Sequence, residues 1–323
     1  MVRLDGELTG RRTTTPCSGW GPAYRAGVVP DAFARLTVRR EGDAGRQWLG
    51  SLPELVTDLT SRWSCQVVGP AWHGQVALVF PVESTGGPAA LKVSFPHPGN
   101  LSEAGALRSF AGSGAVRLLN ADEDRFALLL ERAGPQALSE EPSTDHAVEV
   151  MGVLARRLAV PAAPSSPTLA DTADGWAEQL RHHASTSAYP LPPGALERAL
   201  ATIDALGDDA TPTLIHGDLH PGNVLTAQRE PWLAIDPKGQ RGSAAYDAFT
   251  AVAGRRATFP PDERLSTAIP RLIDRFAAAA DVDTTLALAC CQARATSSLL
   301  HQDLVDGDWF DLEVLETFVA LRP

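Results

Sequence analysis

The chain has 323 residues, 44% hydrophobic and 21% charged, the balance of a soluble globular protein too long for one small core. Its formal net charge of −11 disfavours a nucleic-acid backbone as partner and suits a cationic small molecule, whose local concentration an acidic surface raises. No run of eighteen apolar residues occurs, so no membrane-spanning helix is expected.

Residues 1–27 show neither an apolar h-region nor a hydrophobic period, which predicts a flexible tail and no secretion signal. "SLPELVTDLTSRW" carries a capping box, Ser51 to Glu54, and the apolar positions Leu52, Leu55, Val56 and Leu59 at helical spacing, predicting a helix that starts at Ser51. "QVALVFPV", "ESTGGP" and "AALKVSF" then read as a hairpin over 75–95. "NLSEAGALRSFAG" reads as a short helix ended by Gly112, and "AVRLLN", "ADED" and "RFALLLER" as a second hairpin. The first part of the chain, 28–132, is therefore expected to be a β-rich lobe with a helix against its sheet.

From 133 onward the pattern is helical. Helices are predicted over 144–159, 168–185 and 194–206, separated by proline-rich breaks, and again across 262–321 with Pro261 and Asp283 near helix starts. Between them lies a strand–loop–strand segment, "LIHGDLHPGNVL" to "AIDPKG". Cysteines stand at 17, 65, 290 and 291 with no CxxC pair, and the adjacent two cannot bridge on a helix, so a reducing cytoplasmic setting is expected.

Only Lys92 and Lys238 are lysine among 28 basic residues, so arginine fills the ordinary cationic positions. Lysine is a compact point charge on a flexible stem rather than a planar fork, and both positions are candidates for phosphate contact. Strand alternation places Lys92 on the face opposite Leu91 and Val93.

The polar segment itself carries Asp218 and, five residues on, Asn223, the D-x-x-x-x-N spacing of a kinase catalytic loop. If "NVLTA" and "WLAID" pair about a turn centred between residues 229 and 230, Asn223 stands opposite Asp236 and the two can share a hard divalent ion such as Mg²⁺. Lys92 followed by Glu103 on a short helix matches a lysine–glutamate pair that positions nucleotide phosphates. The rival is a zinc hydrolase built on His216, Asp218 and His220, for which the remaining histidines supply no H-x-H or H-E-x-x-H group. His216 is expected to hold the loop through backbone hydrogen bonds. His220 is a candidate for phosphate or substrate contact. "GPAWHGQVAL", with Gly74, is either a short phosphate-covering turn or an ordinary hairpin turn.

On "LIHGDLHPGNVL", "PWLAIDPKG", "AALKVSFPHP", "ALLLER" and the late "RATSSLLHQDLVDGD", the chain resembles the aminoglycoside phosphotransferase family, in the branch of streptomycin 6-phosphotransferases and hydroxyurea phosphotransferases. The resemblance implies an α+β, bilobal protein-kinase-like fold with a small β-rich N-lobe and a larger, mostly helical C-lobe over 133–323. It implies ATP as phosphoryl donor, its base near Glu131 and Ala133, with Lys92 and Glu103 toward the nucleotide; Gly74 and Lys238, on the residue reading above, are further candidates for nucleotide contact. Asp218 would be the base, Asn223 and Asp236 the Mg²⁺ ligands, and a hydroxyl of a cationic aminoglycoside the acceptor. Asp303, Asp306 and Asp308, with Asp311 and Glu313, are candidates for binding the substrate's cationic groups. A monomer is expected, with no nucleic acid and no membrane. A metabolic or hydroxyurea-type kinase and a nucleotide-binding pseudoenzyme are the alternatives. "HGD" replaces H-R-D, "IDP" replaces D-F-G, and no A-P-E follows, which argues against a protein substrate.

Overall fold

A computed structural model describes residues 29–255, 258–259, 262–305 and 310–322, with the side chains of 303–305 excepted; the expected tail and Pro261 lie outside the described residues. The backbone divides into two compact units, one of residues 29–97 with 119–132 and one of 98–118 with 133–322.

In the first unit, helix α1 (Asp31–Arg62) precedes strands β1 (Cys65–Val67), β2 (Trp72–His73), β3 (Ala77–Ser84), β4 (Gly87–Ser94), β5 (Leu118–Asp122) and β6 (Ala127–Glu131). The strands form one sheet in the order β1–β3–β4–β6–β5, with β2 also paired to β3. The helix predicted from Ser51 begins twenty residues earlier, at Asp31, and bends at Gly42, whose φ of 60° is not helical. Ser51 is no cap: it lies inside α1 and its hydroxyl donates back to the Trp48 carbonyl at 2.9 Å. Leu49, Leu52, Val56 and Leu59 of α1 pack on Leu78 and Phe80 of β3 and on Leu91 and Val93 of β4. Lys92, between Leu91 and Val93, therefore lies on the sheet face away from α1, and it is buried. Gly74 is an exposed residue in the β2–β3 turn, its N–H bonded to the Ala77 carbonyl at 3.0 Å. Strand β6 ends at Glu131, and the second unit resumes at Ala133.

The second unit opens with α2 (Glu103–Phe110), whose first residue, Glu103, is buried. The segment after it runs beside a later strand, with the Val116 N–H on the Ala234 carbonyl and the Ala234 N–H on the Gly114 carbonyl. Arg229 fastens the same segment by donating to the carbonyls of Gly112 and Ala115. Next come α3 (Thr144–Leu158), α4 (Leu169–Thr186) and α5 (Ala195–Gly207), close to the predicted bounds. Ser143 caps α3, and Thr168 and Asp171 form a capping box on α4. Short strands β7 (Leu214–Ile215), β8 (Val224–Thr226), β9 (Trp232–Ala234) and β10 (Gln240–Arg241) carry the polar segment, β8 pairing β9 and β10 pairing β7. Helices α6 (Ala248–Ala253), α7 (Leu265–Ala280), α8 (Thr284–Val305) and α9 (Leu312–Val319) complete the unit. Ala173 and Leu180 of α4, Ala199 and Ile203 of α5, and Ala293 and Leu300 of α8 share one core. Among the described residues no helix is long and apolar enough to cross a membrane. Cys65, Cys290 and Cys291 are free thiols, and burial pushes the Cys290 thiol up to about 12.

Candidate active site

The polar segment is organised around His216. Its carbonyl accepts the Lys238 N–H at 2.7 Å, its Nδ1 accepts the Asp218 N–H at 3.3 Å, and its Nε2 lies 2.9 Å from the Ile235 carbonyl. Because Nδ1 accepts from a backbone N–H, the ring proton sits on Nε2, which donates to Ile235. Burial drives the His216 pKa down to about 4, against the opposing pull of Asp218, the Ile235 bond and Asp236, so the ring is neutral near pH 7. One side chain thereby joins the loop after β7, which bears Asp218, to the loop after β9, which bears Asp236. Both ring nitrogens are spent on backbone, so His216 has no lone pair left for zinc, and the zinc-hydrolase alternative loses its first ligand.

Asp218 is half-buried, and its backbone carbonyl accepts from the His220 N–H at 3.0 Å and from Asn223 Nδ2 at 3.1 Å. The second bond fixes the Asn223 amide, and Oδ1 is left as the oxygen donor of this buried side chain. The register of β8 and β9 differs from the expected one by a residue. Val224 pairs with Ala234, and Asn223 is bonded across to Ile235, its carbonyl accepting that N–H at 2.9 Å. Asp236 is therefore one place past Asn223 rather than opposite it. A regular strand would throw their side chains to opposite faces. The backbone at Asp236 is not a strand: its φ of 60° is left-handed, a conformation aspartate tolerates better than most residues. The turn centre was misplaced because five residues, not four, separate the paired ends Thr226 and Trp232.

Lys238 Nζ stands 3.4 Å from Asp236 Oδ2, joining the second of the two lysines to the proposed metal ligand. Left-handed Gly217 and Gly239, with φ of 83° and 62°, flank the set. A Cβ at Gly239 would meet Ala106 Cβ at 2.6 Å, which requires glycine there. His220 Nδ1 accepts the Gly222 N–H at 3.1 Å, leaving Nε2 as the other ring nitrogen, and burial lowers its pKa against the fields of Asp218 and Asp236. Asn223 Oδ1 and the Asp236 carboxylate are hard oxygen donors, the kind that Mg²⁺ takes together with phosphate oxygens.

A residue the sequence reading passed over lies beneath this loop. Asp247, fully buried, is in a turn just before α6, and burial raises its pKa to about 7 against the stabilising influence of Arg294 and of the Leu219 and Gly217 N–H groups. Neither carboxylate oxygen reaches good hydrogen-bond geometry among the described residues. Arg294 of α8 lies 4.2 Å over the Tyr246 ring and donates to the Tyr246 carbonyl at 3.0 Å. The available signal was an isolated aspartate within the apolar "AAYDAFTAVA".

Of the acidic substrate candidates, Asp306 and Asp308 and the side chain of Asp303 lie outside the described residues. Asp311 caps α9, its Oδ1 accepting the Val314 N–H at 3.2 Å.

The family model for aminoglycoside/hydroxyurea antibiotic resistance kinases matches residues 62–303. A streptomycin 6-kinase of Streptomyces glaucescens is 31% identical over 282 residues, covering 86% of this chain and 92% of that one. A hydroxyurea phosphotransferase of Kitasatospora aureofaciens is 37% identical over 229 residues, 69% of this chain and 67% of its own. Among solved structures, a thermostable mutant of aminoglycoside phosphotransferase APH(4)-Ia, in ternary complex with ADP and hygromycin B, superposes with a TM-score of 0.51 at 16% identity, over 81% of this chain and 95% of that one. That likeness establishes the α+β, kinase-like fold. On the match across most of its length, the chain belongs to the aminoglycoside/hydroxyurea antibiotic resistance kinase family.

Proposed function

We propose that the chain transfers the γ-phosphoryl group of ATP to a hydroxyl of streptomycin or a related aminoglycoside. Family membership supports the reaction class, a phosphotransferase with an alcohol acceptor, and the streptomycin 6-kinase relative supports the acceptor. The ADP complex of the APH(4)-Ia neighbour supports a nucleotide donor. The carrying observation is the bond from Asn223 Nδ2 to the Asp218 carbonyl, which locks a metal-type amide oxygen and a carboxylate into one loop.

In this scheme Asp218 orients the acceptor hydroxyl and takes its proton as the new P–O bond forms. Asn223 Oδ1 and the Asp236 carboxylate would hold Mg²⁺, which when bound neutralises charge on the phosphates. Lys238 offsets the negative charge of Asp236 and faces phosphate oxygens. Lys92, Glu103 and Gly74 are assigned to the nucleotide phosphates, and Glu131 and Ala133 to the base, on the family resemblance. His220 Nε2 approaches the acceptor. His216 keeps the two loops in register and takes no proton. Phosphoryl transfer has a loose transition state, so this fixed placement of donors and charge is the main catalytic contribution.

A second reading, hydroxyurea as acceptor, is favoured by the 37% identity to a hydroxyurea phosphotransferase. Nucleotide-consumption assays with streptomycin, other aminoglycosides, choline and hydroxyurea test both. Streptomycin-dependent ADP release is expected, and its absence alongside hydroxyurea-dependent release would establish the second reading instead.

A further inference from the structure

Helices α4 and α8 line an open cleft of about 250 Å³ within the second unit. Trp176, Gln179 and His183 recur at helical spacing on one face of α4, and Ser297, Ser298 and His301 lie on the matching turn of α8. The wall is held in place: Trp176 Nε1 donates to Ser297 Oγ at 2.6 Å, and the His183 and His301 rings stack at 5.4 Å with 21° between planes. Because Ser297 Oγ is the acceptor in that bond, its own proton remains to donate elsewhere. Burial, with the neighbouring imidazoles of His301 and His182, holds His183 below its ordinary value, so it is neutral near pH 7.

The lining supplies an indole, an amide, two hydroxyls and two imidazoles, and among the described residues it contains no carboxylate. A guanidinium or ammonium group finds no counter-ion among the described residues of this lining. A ring with C–H faces and hydroxyl edges finds both an aromatic platform and hydrogen-bond partners. The volume is below the roughly 300–1,000 Å³ that holds a complete drug-sized ligand, and it suits one ring of a larger molecule. Position supports the same conclusion. Trp176 meets Tyr246 edge-on at 6.3 Å, and Tyr246 directly precedes Asp247, which lies beside the Gly217 and Leu219 N–H groups of the Asp218 loop. The α8 residues belong to "RATSSLLHQ", a stretch that the metal and phosphate chemistry leaves without a role.

We propose that this cleft is a sugar-ring subsite, holding an uncharged, hydroxylated ring of a glycosylated acceptor away from the ring that is phosphorylated. The inference rests on the aminoglycoside reading above. Steady-state kinetics on the full chain, comparing streptomycin with streptidine, its cyclitol freed of sugars, tests it. The proteins are the wild type, Trp176→Ala, and the double variant Gln179→Ala/Ser298→Ala, which removes polar partners while sparing the core. In each variant KM for streptomycin should rise roughly tenfold while KM for streptidine rises less than about twofold. Equal changes for the two acceptors, or an unchanged streptomycin KM in a normally folded double variant, would overturn the subsite and leave the phosphotransferase reading standing. Failure of the wild type to phosphorylate any glycosylated aminoglycoside would overturn that reading and the subsite together.

Discussion

His216 and Asp247, both buried, contribute with opposite sign to the pH dependence of stability, and replacing them one at a time should expose this. The folded His216 pKa is depressed from 6.5 to about 4, so the unfolded chain binds a proton that the native state refuses. Its contribution is present above pH 6.5 and is lost as pH falls toward 4. The folded Asp247 pKa is raised from 3.8 to about 7, so the native state binds a proton that the unfolded chain does not. Its contribution is present below pH 3.8 and is lost as pH rises through 7. Integrated from pH 7.5 down to pH 5, His216 removes and Asp247 adds stability, each on the order of 2–3 kcal/mol and opposite in sign. Urea unfolding of wild type, His216→Gln and Asp247→Asn at pH 7.5, 6.25 and 5 reads the two effects by difference, so that all other groups drop out. Relative to wild type, His216→Gln should gain on the order of 2 kcal/mol across that interval, whatever it loses overall, and Asp247→Asn should lose on the order of 2–3 kcal/mol. Stability differences that stay constant with pH, or move in the opposite sense, would refute the burial argument for that group.

Asp218→Ala should lower turnover by roughly 10²-fold or more with nucleotide affinity nearly unchanged in calorimetry, and near-normal turnover would remove Asp218 from the role of base. Asp236→Asn should keep its thermal midpoint, since asparagine tolerates the left-handed backbone, yet lose Mg²⁺-dependent nucleotide binding; Asp236→Ala should bind as poorly and also lose roughly 1 kcal/mol in urea unfolding. Gly239→Ala should be destabilised by about 1–3 kcal/mol, because its Cβ falls 2.6 Å from Ala106 Cβ at a left-handed φ. Wild-type melting there would show that the loop can move away from α2.

Local signals were legible because local forces generate them. The helical period and the proline-rich breaks marked α3 and α4, and the caps that the structure shows, Ser143 and Thr168, lie within one residue of the predicted starts. The spacing of Asp218 and Asn223 reported one loop, and that loop closes on itself through the Asn223 amide. The choice of lysine at 92 and 238 also stood out from the sequence, against a background of arginine. The start of α1 was missed because Gly42 interrupts its period, and packing of Phe33 and Leu49 on the sheet keeps the two halves of the helix together. The strand register and the left-handed turn at Asp236 were decided by tertiary contacts, chiefly the grip of His216 on Ile235 and Lys238. Asp247 acquires its raised pKa, and Trp176 its place beside Ser297, only when helices distant in sequence come together. Sequence alone thus determined which chemical groups were present and how each short stretch would coil. Burial and pairing depend on contacts between remote segments, and only the folded chain decided which groups would lose water and which would meet.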